Sequence, residues 1–166
     1  MRHFRRLSEV QFPDNITKIA GGFRDSNLSY VVIPEGVEEI GRMAFANCRT
    51  LEYVHLPSSL RIIENGAFAG SGLFYLHIPE GVVEIRGAAF FNSSLGIISI
   101  PSTIKIIHDP FVAVELLEVH SFITDLNNVR CGGDFFDCEY LYVPTGMLEA
   151  YKQHPYFGKA KNIIER

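Results

Sequence analysis

A closing residue, nearly always proline, recurs through this chain at an almost constant interval. Pro13, Pro34, Pro57, Pro79, Pro101, Phe122 and Pro144 stand 21, 23, 22, 22, 21 and 22 residues apart. Each ends the same short pattern: apolar, two variable residues, apolar, one variable residue, apolar. Leu51-Glu52-Tyr53-Val54-His55-Leu56-Pro57, Leu73-Phe74-Tyr75-Leu76-His77-Ile78-Pro79 and Leu95-Gly96-Ile97-Ile98-Ser99-Ile100-Pro101 are the clearest copies. Two earlier copies run from Leu7 and Leu28. A sixth has decayed to Leu116, Val119, Ser121 and Phe122, and a seventh starts at Cys138 and continues through Leu141 and Val143. Self-similarity at this period means a repeat architecture, whatever else the chain contains.

The second half of each unit repeats as well. An isoleucine column runs Ile19, Ile40, Ile63, Ile85 and Ile107. A phenylalanine column runs Phe23, Phe45, Phe68, Phe90 and Phe111, with Phe135 or Phe136 in the sixth unit. Ala44, Ala67 and Ala89 precede the phenylalanine. Gly21, Gly41, Asn65 and Gly87 follow the isoleucine and are expected to adopt positive φ at a tight corner. Each unit reads as one coil: a strand, a turn at Pro, a second short extended piece, then a brief helical or 3-10 corner at Ala-Phe. Pro fits the end of a strand because it has no N–H for a continuing ladder. One coil cannot bury its apolar side chains alone, but stacked coils can. Equivalent residues then meet at roughly 4.7–4.9 Å, and the phenylalanines form a continuous spine. That explains a composition with 13 Phe and no Trp.

The fold class is α/β, mainly β in content: a solenoid of about seven 21–23-residue coils over residues 4–144, closed by a C-terminal helical cap over 145–166, all in one domain spanning 1–166. The coil through Asp125–Asp134 loses the register, so an insertion or bulge is expected there. Thr145 to Gln153 reads as a helix with Thr145 as N-cap. Leu148, Tyr151, Tyr156, Phe157, Ile163 and Ile164 are the apolar groups that cover the last coil. The opposite end shows only Phe4 and a few arginines as a cap, which leaves end-to-end self-association through the first coil open.

Composition narrows the function. A net charge of −4 argues against binding nucleic acid through phosphates. No apolar run approaches the length of a membrane span. Three cysteines exclude a complete disulfide framework. Cys131 and Cys138 bracket the irregular coil and would pair only in an oxidising compartment, while Cys48 fits a buried structural thiol. The basic N-terminus is not followed by the apolar stretch of a secretory signal, so both a cytoplasmic chain and one whose signal has been removed remain open.

Strand alternation sends the variable residues outward in two columns. One is Glu9, Tyr30, Tyr53, Tyr75, Ile97, Glu118 and Tyr140. The other is Gln11, Val32, His55, His77, Ser99, His120 and Tyr142. Tyrosine combines contact area with a hydrogen-bonding tip and is enriched in binding surfaces. A ligand-binding face is therefore expected along Tyr30, Tyr53, Tyr75, Tyr140, His55, His77, His120 and Tyr142. Aromatics also suit strands for purely structural reasons. His55 and His77 are expected on adjacent strands, but no cysteine or carboxylate completes a metal site with them. His108-Asp109 has no nucleophile beside it. Asn15-Ile16-Thr17, Asn27-Leu28-Ser29 and Asn92-Ser93-Ser94 match glycosylation acceptors, as turn-rich coils often do. Neither catalysis nor a cofactor is expected.

The unit Ile33-Pro34-Glu35-Gly36-Val37-Glu38-Glu39-Ile40-Gly41-Arg42-Met43-Ala44-Phe45-Ala46-Asn47-Cys48 resembles the BspA-like leucine-rich repeat. Tyr142-Val143-Pro144-Thr145-Gly146, with Tyr151-Lys152 and Ile163-Ile164-Glu165, resembles the terminator found in such bacterial proteins. In this subfamily Pro replaces the Asn that usually follows the strand. The resemblance implies a curved right-handed solenoid. It also implies a non-enzymatic, adhesin-like module at the cell surface or secreted, binding a host, matrix or cell-surface protein or glycan. The alternatives are a structural spacer, a fragment of a longer array, or a cytoplasmic interaction scaffold.

Overall fold

The computed structural model describes residues 10–133 and 136–166. Phe4, Leu7, Glu9, the N-terminal arginines and Phe135 lie outside the described residues, and with them the weakly capped N-terminal coil. In chain order the strands are β1 (Lys18–Ile19), β2 (Tyr30–Val32), β3 (Glu39–Ile40), β4 (Tyr53–His55), β5 (Ile62–Ile63), β6 (Tyr75–His77) and β7 (Glu84–Ile85). They continue as β8 (Ile97–Ile100), β9 (Ile106–His108), β10 (Leu116–Ser121), β11 (Arg130–Gly132), β12 (Cys138–Val143) and β13 (Asn162–Glu165), with one helix, α1 (Leu148–Gln153). All pairings are parallel between successive coils. Each coil supplies a strand to either side of the solenoid. One side is a single six-stranded sheet in the order β1-β3-β5-β7-β9-β11. The other is divided into a two-stranded sheet, β2-β4, and a five-stranded sheet, β6-β8-β10-β12-β13.

The core lies between these sheets. Ile40, Ile63, Ile85 and Ile107 are fully buried, as are Phe45, Phe68 and Phe90. The rings of Phe23, Phe45, Phe68, Phe90 and Phe111 stack nearly parallel with centroids 5.2, 5.4, 5.9 and 5.7 Å apart. These spacings exceed the strand separation and match offset stacking. Phe136, rather than an uninterrupted parallel stack, continues the spine: it meets Phe111 edge-on at 6.3 Å and passes contact to Tyr156 and Phe157.

The Ala-Phe corner is a left-handed turn rather than a helix. Two residues of positive φ flank each phenylalanine, two positions before and two after: Gly21 and Asp25, Met43 and Asn47, Gly66 and Gly70, Ala88 and Asn92, Asp109 and Ala113. This geometry turns alternate N–H groups along the solenoid axis. Met43, Phe45 and Asn47 donate to the carbonyls of Asn65, Ala67 and Ala69 in the next coil, and Gly66, Phe68 and Gly70 repeat the pattern onto Gly87, Ala89 and Phe91. The corner is thus a third hydrogen-bonded ladder. Its donors point to the following coil, whereas Gly41, Glu64 and Arg86 donate to the preceding one, at Ile19, Ile40 and Ile63. Of the residues expected at positive φ, Gly21 has it and Gly41, Asn65 and Gly87 do not. Gly41 is needed for a different reason: a Cβ there would stand 2.6 Å from the Ile19 carbonyl oxygen. Asn15 and Asn92 are left-handed turn residues, which accounts structurally for two of the three acceptor triplets.

The turns after proline interlock in pairs of coils. The Glu35 carboxylate accepts from the Ser58 N–H and hydroxyl, while Ser59 Oγ accepts from the Gly36 N–H and donates to the Val37 carbonyl. Glu80 and Gly81 make the same bonds to Ser102 and Thr103, with Val82 as the carbonyl acceptor. The Ser58 donors hold the Glu35 carboxyl below its usual pKa.

The irregular coil recovers its register. Asp125 caps a 3-10 turn over Leu126–Asn128, and β11 then pairs with β9, Arg130 opposite Ile106. The helix begins later than expected. Thr145 is not its N-cap; the residue preceding it is Met147, and Thr145 Oγ1 instead donates to the Arg166 carbonyl, tying the turn to β13. α1 covers the last coil through Tyr151, which is fully buried and donates to the Ile123 carbonyl at 3.0 Å. Among the described residues no helix is long and apolar enough to cross a membrane.

His154 ends α1 and sets a pH dependence. Its Nδ1 accepts from the N–H groups of Tyr156 and Phe157, each at 3.3 Å, which requires the neutral ring. Burial pushes its pKa below the ordinary 6.5. The unfolded chain therefore binds the proton more readily than the folded one. This contribution is present above about pH 6.5 and lost as pH falls below it. The melting temperature is expected to drop between pH 7 and pH 5 by more in the native protein than in His154→Phe; parallel curves would show that the ring plays no such part.

Candidate functional site

The two sides of the solenoid present different chemistry. On the six-stranded side the outward residues are largely charged and are paired both between and within coils. Lys18 meets Glu39 at 2.6 Å, and Arg86 binds both Glu84 and Glu64. The other side is aromatic. Register pairs Tyr30 with Tyr53 and Val32 with His55, then Tyr75 with Ile97 and His77 with Ser99. Tyr30, Tyr53 and Tyr75 are 41%, 54% and 55% exposed, because Val31, Val54 and Leu76 take the alternate inward positions.

Phe74 and Leu117, each 50% exposed, extend this surface and were not among the residues expected from the sequence. They occupy the first of the two variable positions, outside the two alternating columns: Phe74 lies just before β6, and Leu117 is the second residue of β10, where two outward residues, Leu117 and Glu118, follow one another. The Phe74 ring lies across Gly96; a Cβ at 96 would come within 2.7 Å of its Cζ. Leu117 follows on the next coil, its N–H donating to the Gly96 carbonyl at 2.8 Å. Glycine at 96 is what lets the ring lie flat on the surface.

Two sequence expectations need correcting. β4 and β6 do not share a ladder, so His55 and His77 lie on consecutive coils without being paired strands. His77 instead contacts Ser99 Oγ through Nδ1 at 2.7 Å. Ser99, expected outward, is buried, since its short side chain lies between the longer side chains of His77 and His120 in register and is engaged by the first. Among the described residues no group of three or more potential metal ligands converges.

A second aromatic cluster forms toward the C-terminal end. β10 and β12 place His120 beside Tyr142, with ring centroids 4.8 Å apart. His120 Nε2 bonds Glu118 at 3.1 Å. The Arg166 guanidinium lies over the Tyr142 ring, 3.4 Å from its centroid. Tyr140 joins the cluster along β12, its ring nearly parallel to that of Tyr142 with centroids 6.5 Å apart. Phe122, in the slot other coils fill with proline, is exposed and borders a depression of about 220 Å³ shared with His120, Tyr142, Pro144 and Arg166.

The other reactive side chains are structural. Cys48 is buried and donates to the Phe23 carbonyl. Cys131 and Cys138 are free thiols, and burial pushes both up to about 12, so neither is a thiolate at neutral pH. Asp109 is one of the left-handed corner residues, and its N–H donates to the Gly132 carbonyl. His108 ends β9, and Asp109 begins the corner that follows.

The periodicity, the paired ladders and the phenylalanine spine define a leucine-rich repeat solenoid. The chain belongs to the BspA-type leucine-rich repeat family, whose model matches residues 2–113 in six copies. No curated protein sequence matches it. Its fold is similar to the crystal structure of the pneumococcal vaccine antigen PcpA, with a TM-score of 0.76 and 25% identity over 93% of this chain and 40% of that one. The chain therefore spans less than half the length of that antigen. A leucine-rich repeat protein of T. pallidum shares the fold at a TM-score of 0.59 and 22% identity, covering 87% of this chain and 74% of that one.

Proposed function

We propose that this solenoid is a non-catalytic, adhesin-like module that binds a protein at a bacterial cell surface or outside the cell, through the aromatic side of the coils. One observation carries the reading: Tyr30, Tyr53, Phe74, Tyr75 and Leu117 are half exposed along one side, with His55 and His77 beside them, and no element of the described chain covers them. A solenoid side is well suited to this, because stacking multiplies one contact position into a long surface. Large aromatic groups there are expensive to leave in water, and they dominate binding energy when buried against a partner. The ion-paired opposite side offers little of this, since exposed salt bridges contribute roughly 0–1 kcal/mol. Location at the surface is supported by the likeness to a pneumococcal antigen.

The test replaces Tyr53, Tyr75, His55 and His77 together by serine and measures binding to a panel of matrix and host-surface proteins by surface plasmon resonance. The native chain is expected to bind at least one of them. The variant, folded by circular dichroism, is expected to lose about 100-fold or more in affinity, as for the loss of two hot-spot aromatics. Equal binding by the folded variant would leave the solenoid as a spacer or part of a longer array.

A further inference from the structure

The structure assigns a second, chemically distinct site to the depression between Phe122 and Arg166: we infer that it binds a single acidic sugar residue, a pyranose ring carrying a carboxylate. This does not rest on the protein-binding reading above. The site lies beyond the Tyr53–Tyr75 stretch and has its own chemistry. Four observations carry it.

The first is an unspent cation. Arg166 is stacked on Tyr142, which fixes its plane, yet among the described residues no carboxylate or carbonyl accepts from its guanidinium. A planar fork held in place by stacking is prepared for bidentate pairing with a carboxylate. The second is an exposed ring. Phe122 is 51% exposed and stands where Pro57, Pro79, Pro101 and Pro144 close the other strands. Both faces of Tyr142 are occupied, one by Arg166 and one by His120; Phe122 is the ring left to receive a ligand. The third is polar capacity at the rim. His120 uses Nε2 on Glu118, which leaves Nδ1, and the Tyr142 hydroxyl has no partner among the described residues. These groups suit ring hydroxyls. The fourth is size. About 220 Å³ falls below the roughly 300–1,000 Å³ of sites for larger ligands. It accommodates a single ring. An apolar lining with a few convergent polar groups is the general form of a small-ligand site.

The local charges favour discrimination rather than indiscriminate anion binding. Glu118 is held on His120, while Glu165 is bonded to the Gly146 N–H. A carboxylate alone would pair with Arg166 but gain nothing from Phe122. A neutral sugar would cover Phe122 but leave the guanidinium unpaired. Only the combination uses both.

The test titrates the full chain with methyl glucuronide, methyl glucoside and acetate, following Arg166 Nε–Hε and the Phe122 ring by NMR. Methyl glucuronide is expected to give saturable shifts at both groups with an affinity of about 1 mM. Acetate and methyl glucoside are each expected to bind about tenfold or more weakly. Arg166→Gln and Phe122→Ala, both at exposed positions and checked for native circular dichroism, should each weaken the glucuronide by a similar factor, and Arg166→Lys should only partly restore it because a point charge loses the fork. Equal binding of acetate and glucuronide would reduce the site to a simple anion contact and overturn the assignment. So would the absence of saturable shifts, or a glucuronide affinity that Phe122→Ala leaves unchanged. The serine substitutions at Tyr53, Tyr75, His55 and His77 should leave glucuronide binding intact, which separates this result from the fate of the protein-binding face.

Discussion

Phe68→Ala is expected to destabilise the protein by about 3–5 kcal/mol. Phe68 is fully buried in the middle of the spine, with Phe45 at 5.4 Å on one side and Phe90 at 5.9 Å on the other. Removing its ring opens a void that neither neighbour can fill. Each is held by its own corner, with the backbone N–H groups of Phe45, Phe68 and Phe90 donating to Ala67, Ala89 and Pro110. The cost is therefore the lost transfer of a large apolar group plus a cavity that does not collapse. Stacked coils are coupled only to their neighbours, so the damage should also divide the unfolding transition. A urea titration is expected to show a lower midpoint and a shallower slope than the native chain. Phe23→Ala, at a ring that is only half-buried, should cost clearly less. Equal costs at both positions would contradict a spine whose contribution scales with burial.

Tyr151→Ala is expected to have a comparable effect, about 3–5 kcal/mol, for a different reason. Tyr151 is the fully buried residue of the cap helix, and its ring packs 5.4 Å from Phe157. Its hydroxyl binds both Ser121 and the Ile123 carbonyl, and burial raises its pKa to about 12. Tyr151→Phe separates the two contributions. It keeps the packing but strands Ser121 and the carbonyl, which should cost about 1–3 kcal/mol. Amide hydrogen exchange would locate the damage. Loss of protection in β12 and β13 ahead of β5 and β7 is expected for Tyr151→Ala, because the cap seals the coil next to it. Uniform loss along the chain would mean that the cap is not a local device.

Much of this architecture was legible before any coordinates. The isoleucine and phenylalanine columns were visible because equivalent core positions recur with one chemistry, and side chains at fixed intervals in a solenoid have no other place to go. The corner was harder to read. Met43, Ala88 and Ala113 carry positive φ although none is a residue that favours it, so propensity pointed instead to Gly41 and Gly87. There the surrounding ladder overrides local preference. Thr145 looked like a helix cap because threonine commonly is one, yet Arg166, just after β13, offers its hydroxyl a carbonyl to donate to. Tyr30, Tyr53 and Tyr75 were found on the surface by alternation alone. Phe74, Leu117, Phe122 and Arg166 were not. Phe74 precedes its strand, Leu117 sits inside β10 where strict alternation breaks, Phe122 replaces a proline, and Arg166 depends on the last strand returning beside Tyr142.

The linkage of Glu35 to Ser58 and of Glu80 to Ser102 carries a consequence for how such a chain can change length. Acidic and hydroxyl-bearing turns alternate, so the smallest interchangeable module in this stretch is two coils. Excising the coil that carries Ser58 would bring Glu35 against Glu80, two carboxylates with no donor between them. Excising that coil together with the one carrying Glu80 would set Glu35 against Ser102 and restore the match. Growth or shrinkage here should therefore proceed by even steps.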